Sequence, residues 1–183
     1  MVGRPVIQEK GFAVWLTGLP ASGKTTLGVA LAANLKERGI PVQILDSDEL
    51  RRVLTPQPAY TQQERDWFYR TMAYVGELLT QNGINVIFAA TANRRLHRDK
   101  ARQAIERFVE VYVRCSLETC MARDQKGIYE KALAGQATTV PGLQVPYEPP
   151  EAPEVTVDTE QQTPVEGVRQ IEAHLERLSF LRR

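Results

Sequence analysis

With 183 residues, 23 basic and 22 acidic, the chain is long enough for one domain whose core hides about 70% of the unfolded surface, and too evenly charged to point to nucleic acid or an anionic membrane. No apolar run approaches the roughly 18 residues of a membrane span and the N-terminus lacks the long apolar segment of a signal peptide, so a cytoplasmic protein is expected. Cys115 and Cys120 are too few and too close for a disulfide framework or a four-ligand zinc site, and read as buried free thiols.

In chain order, residues 1–11 have no clear period and form a lead-in. The apolar run 12–17 predicts a first strand. It is followed at once by Gly18-Leu19-Pro20-Ala21-Ser22-Gly23-Lys24-Thr25-Thr26, which fills the pattern G-x-x-x-x-G-K-[ST]. Glycines at both ends let the backbone curl so that successive N–H groups point at phosphate oxygens. Lys24 supplies a mobile cation for the β- and γ-phosphates, and Thr25 a hydroxyl for Mg2+. From Thr26 the apolar spacing becomes helical, so the loop meets a helix N-terminus, where anions are favoured. Residues 18–26 together therefore read as a loop that binds nucleotide phosphates.

Residues 41–45 predict a second strand that closes one βαβ unit and delivers Asp46 and Asp48 to the carboxyl edge of a parallel sheet, where ligands bind. A short helix over 48–54 and a Pro-broken turn come next. Thr61, with Glu64 three residues on, caps a long amphipathic helix to about Gln81. Further strands are expected over 84–90, 108–113 and 155–158, with helices over 97–107 and 165–181 and one or two helical turns over 116–123. Residues 124–153 are rich in Gly and Pro and read as a lid, its amphipathic start at 128–133 able to cover a nucleotide. No repeat and no second domain emerge.

A phosphate loop alone suits a GTPase, a motor ATPase or a small-molecule kinase. No Asn-Lys-x-Asp guanine-reading sequence is present, and the third strand ends without a carboxylate. Asp46 is thus best placed to accept a proton from, or orient, a hydroxyl attacking the γ-phosphorus, although a helix N-cap is its simpler role. Arg123 is the first lid arginine for charge neutralisation. Arg51, Arg65, Arg94 and Arg95 fall on the acceptor side and suit an acceptor carrying phosphate or sulfate, the alternative for each being an ordinary surface ion pair.

Taken together, these segments resemble the adenylylsulfate kinases. Residues 15–26 are similar to W-L-T-G-L-[SP]-[GA]-[AS]-G-K-[ST]-T, and Leu45-Asp46-Ser47-Asp48 with Arg51 to L-D-G-D-x-x-R. Residues 60–65 are similar to F-S-x-x-D-R and 108–113 to F-[IV]-E-V-[YF]-V. Leu117 to Tyr129 resembles L-E-x-C-x-x-R-D-x-K-G-L-Y, and Gly142, Leu143 and Pro146-Tyr147-Glu148 echo the lid segment T-G-I-x-x-P-Y-E. The resemblance implies a P-loop α/β fold of nucleoside-kinase type, with five parallel strands, helices on both faces and a lid. It also implies phosphorylation of the 3′-hydroxyl of adenosine 5′-phosphosulfate by Mg-ATP, and a homodimer. Asp46 would be the catalytic aspartate, Asp48, Arg51, Arg65 and Arg95 would hold the acceptor, and Arg123 and Lys126 would close over ATP.

Departures from the family pattern gather on the acceptor side. Phe68 replaces an asparagine, Thr91-Ala92-Asn93-Arg94-Arg95 replaces I-S-P-[YF]-R, Val140 replaces a lid phenylalanine, Pro141 a threonine and Gln144 an acidic residue. Each removes a hydrogen bond or a stacking face, typically on the order of 1 kcal/mol. A different small anionic hydroxyl acceptor, or a nucleotide-binding module without catalysis, are the readings this leaves open. Phe68 and Tyr69, beside Trp67, read first as packing the helix on the core and second as filling an acceptor pocket.

Overall fold

The computed structural model describes residues 9–181; residues 1–8 of the lead-in expected over 1–11 lie outside them. Five strands, β1 (Ala13–Thr17), β2 (Val42–Asp46), β3 (Asn85–Ala89), β4 (Phe108–Arg114) and β5 (Val155–Asp158), form one parallel sheet in the order β2-β3-β1-β4-β5. The helices are α1 (Lys24–Glu37), α2 (Ser47–Leu54), α3 (Gln62–Gln81), α4 (Arg95–Ala104), α5 (Leu117–Ala122), α6 (Ile128–Leu133) and α7 (Pro164–Arg177). β1 is central and buried along its whole length, which is why it is apolar without alternation: helices cover both faces.

Below one face, Leu27, Leu31 and Leu35 of α1 and Val168, Ile171 and Leu175 of α7 pack on Val14, Leu16, Val109 and Val111. On the other, Phe68 and Met72 of α3 and Ala101 of α4 pack on Trp15, Phe88 and Phe108. Trp15 stacks on Phe88 at 4.4 Å. Gly76 lets α3 approach that ring, since a Cβ there would lie 2.1 Å from it.

Two helix ends differ from the sequence expectation. The last helix stops at Arg177 rather than 181, because Ser179 turns left-handed (φ 57°) and sends Phe180 back onto Phe12 and Leu181 into the core. The basic helix begins two residues early, at Arg95, and ends at Ala104, where Ile105 turns extended and becomes buried. The chain after α6 holds little regular structure yet is closely bonded: Gly142 N–H to Val145 O at 2.8 Å, and Glu148 N–H to Asn93 O at 2.8 Å. Cys115 and Cys120 are free and buried, and burial pushes the Cys120 thiol up to about 12.

Candidate active site

The loop between β1 and α1 curls as its glycines require. A Cβ on Gly18 would lie 2.4 Å from Val113 O and 2.7 Å from Ser22 Oγ, and Gly23 caps α1 at φ 100°. Ala21 also takes a left-handed conformation (φ 60°). Lys24, the first residue of α1, folds over the loop and donates to Gly18 O at 3.0 Å and Leu19 O at 2.6 Å. Burial lowers its ammonium from the usual range to about 8, against the pull of Cys120, Asp48 and Asp46. Three contacts hold the loop: Tyr129 Oη donates to Pro20 O at 3.0 Å and Gly142 packs on Leu19, both from the 124–153 segment, while Thr159 Oγ1, just after β5, donates to Ser22 O at 3.0 Å.

At the carboxyl end of β2, Asp46 is buried and both its oxygens are engaged. Oδ1 accepts from the Asp48 N–H at 2.8 Å, and Oδ2 accepts from the Thr25 hydroxyl at 2.9 Å. The helix-cap role weighed for Asp46 is therefore present, together with a contact across to the phosphate loop.

A cleft of about 980 Å³ runs over these residues. One arm is lined by Thr26, Leu27, Arg123, Thr159, Gln162 and Pro164, the other by Arg51, Tyr60, Arg65, Tyr69, Thr139 and Val140. Lys24, Thr25, Asp46 and Asp48 lie in the same lining. Arg123 donates to Thr159 Oγ1 at 3.0 Å and Thr159 O at 2.9 Å. Lys126 pairs with the Asp48 carboxylate, a contact that raises the lysine and joins the lid segment to α2 across the cleft. Arg65 is held by Tyr60 O (3.1 Å) and Thr139 O (2.7 Å), and burial lowers its guanidinium. Arg51 is buried against Glu64 at 3.2 Å.

The four acceptor-side arginines divide. Arg51 and Arg65 line the cleft; Arg94 and Arg95 do not. Arg94 faces Asp66 at 3.5 Å, and Arg95 pairs with Glu151 at 2.7 Å while its backbone N–H donates to Glu148. Both side chains are drawn to nearby carboxylates, the ordinary ion-pair alternative. The divergent positions divide likewise. Val140 and Pro141 line the cleft, whereas Asn93 donates to Pro146 O at 3.1 Å and Gln144 to Ala137 O at 2.5 Å, both knitting the lid. Phe68 is fully buried, and Tyr69 is buried but reaches the cleft. Trp67 is exposed.

Two features went unread in the sequence. The Asp124 carboxylate accepts from the N–H groups of Ile128, Tyr129 and Glu130, starting α6. Arg98, 1% exposed, pairs with Glu110 at 2.6 Å and donates to Ala92 O and Glu148 O, while Arg102 joins Glu110 to Glu154. A lone Glu110 inside the apolar run 108–113 was the available signal, since a charge placed there needs a partner.

The family model described as adenylylsulphate kinase matches residues 10–158. The chain is 40% identical over 175 residues to an adenylyl-sulfate kinase of Rippkaea orientalis, covering 96% of this chain and 97% of the relative. It is also 40% identical to a probable bifunctional SAT/APS kinase 2 of Sorangium cellulosum, of whose length it spans only 30%. Its fold superposes with TM-score 0.87 and 32% identity on the Mycobacterium tuberculosis APS kinase CysC in complex with AMPPNP and APS, covering 91% of this chain and 98% of that one.

Proposed function

Because the chain belongs to the adenylylsulphate kinase family, we propose that its cleft transfers the γ-phosphate of ATP to the 3′-hydroxyl of adenosine 5′-phosphosulfate, a sulfate-activating step. The observation that carries this reading is the Thr25–Asp46 contact at 2.9 Å, which sets a carboxylate beside the phosphate loop where the two arms of the cleft meet. ATP would occupy the arm with Arg123, its phosphates on the N–H groups of residues 18–26 and on Lys24. The acceptor would occupy the arm with Arg51 and Arg65, bounded by Asp48.

Asp46 takes the proton of the attacking hydroxyl while the new O–P bond forms, the bond from the γ-phosphorus to the β–γ bridging oxygen breaks, and ADP leaves. Its fixed oxygens keep that geometry without reorganisation. Thr25 offers a hard oxygen donor of the kind Mg2+ takes alongside nucleotide phosphates, and it would hold that ion. When bound, the ion neutralises charge on the transferring phosphoryl group. Lys24, released from its own loop carbonyls, and Arg123 add cationic charge. Lys126, tied to Asp48, closes the lid between the arms.

The homodimer belongs to the same proposal. An exposed apolar stripe on α3, Trp67, Tyr74 and Leu78, supports it, and sedimentation of the protein checks it. No helix among the described residues is long and apolar enough to cross a membrane. A cytoplasmic setting fits the two free thiols. The reading is tested by ADP release: release that depends on both Mg-ATP and adenosine 5′-phosphosulfate supports it. Release with ATP alone, or none with both, contradicts it.

A further inference from the structure

Arg51 is gripped in an unusual way. Glu64 and Phe68 stand four residues apart on α3 and so share one face. Glu64 takes the guanidinium edge, Oε1 accepting from Nη1 at 3.2 Å, while Phe68 takes its face, the ring centroid 3.8 Å from the guanidinium carbon. The Tyr60 ring lies 4.9 Å away, and Thr55 Oγ1 accepts weakly from Nη1 at 3.4 Å. The opposite nitrogen, Nη2, is buried and has no hydrogen-bond partner, although Arg51 lines the cleft. A buried donor without a partner is costly, and Arg51 pays that cost only while nothing anionic faces it. Phe68 itself is completely buried and reaches no cleft surface.

We propose that Phe68 is a positioning residue for the acceptor: its ring clamps the Arg51 guanidinium so that Nη2 is held ready to donate to an anionic oxygen of the acceptor nucleotide. This rests on the transfer reaction proposed above. The contact is face-on and desolvated, the setting in which a ring holds a guanidinium most firmly, and the edge contact with Glu64 leaves one side of the fork for the ligand. Specificity on this arm then comes from a pre-set arginine rather than from a polar side chain at position 68.

The test is steady-state kinetics of Phe68→Leu, which stays apolar but loses the ring face, beside Arg51→Lys and the double variant. Phe68→Leu is expected to raise KM for adenosine 5′-phosphosulfate about 3- to 30-fold, with KM for ATP and kcat nearly unchanged. In the Arg51→Lys background the same change should add less than about 2-fold, because the clamp has lost its guanidinium. An unchanged acceptor KM, an equal rise in both KM values, or full additivity overturns the positioning role. Should Phe68→Leu fail to fold, Phe68→Met replaces it, with the same expected split. A wild-type protein that neither binds nor phosphorylates this acceptor overturns the reaction itself and the inference with it, whereas an active wild type with an insensitive variant overturns the inference alone.

Discussion

Asp46 carries two contacts that an amide could partly keep, since Asn can still accept from the Asp48 N–H. Asp46→Asn should therefore leave ATP affinity close to wild type while lowering kcat by about 10²- to 10⁴-fold, the range for a lost acid–base group. Calorimetric ATP binding and single-turnover rates read the two quantities separately, and undiminished turnover would remove Asp46 from the chemistry. Lys24 gives a pH dependence. Burial brings it to about 8 in the free protein, and bound phosphates favour the charged form, so binding takes up a proton above about pH 8. ATP affinity should then fall as pH rises through 8, by up to about tenfold per unit. In Lys24→Arg, which stays charged, that fall should vanish; an identical fall would assign it to another group.

At the scale of elements, the lid rests on the phosphate loop through Gly142, whose φ of 86° is left-handed and where an added Cβ would lie 2.4 Å from Leu19 Cδ2. Gly142→Ala should destabilise this segment by about 1–2 kcal/mol, the cost of a left-handed non-glycine residue. Faster amide exchange over residues 140–147 with an unchanged sheet would show it; an unaltered exchange pattern would mean the lid does not lean on Gly142. Helices and strands were largely legible in the sequence because their signals are local: Thr61 and Glu64 really do start α3, and the loop at 18–26 lies between strand and helix as its spacing requires. That Arg94 and Arg95 meet carboxylates outside the cleft lining was not legible, because position after a strand end says nothing about which carboxylates a long side chain will meet. Their partners, Asp66, Glu148 and Glu151, come from two other segments. Core packing was only the first of two readings for Phe68, and its contact with Arg51 joins two helices and has no sequence signature.

For the whole molecule, the sheet order brings β2 and β5 to opposite edges and the lid root back under α4, where Arg98 ties Glu110 of β4 to the backbone of Glu148. Removing one partner leaves a buried carboxylate that Arg102 satisfies only at 3.4 Å. Arg98→Met should cost about 3–5 kcal/mol, lowering the melting temperature by about 6–20 °C. A change of a degree or less would show that Arg102 and Glu154 carry the network alone. All of this architecture serves a cleft with two arms meeting at Asp46. The most direct measurement is chromatographic and NMR identification of the product formed from Mg-ATP and adenosine 5′-phosphosulfate. The 3′-phosphorylated nucleotide is expected, in step with ADP. ADP formed with the acceptor unmodified, or phosphate transferred to a different position, would contradict the proposed transfer.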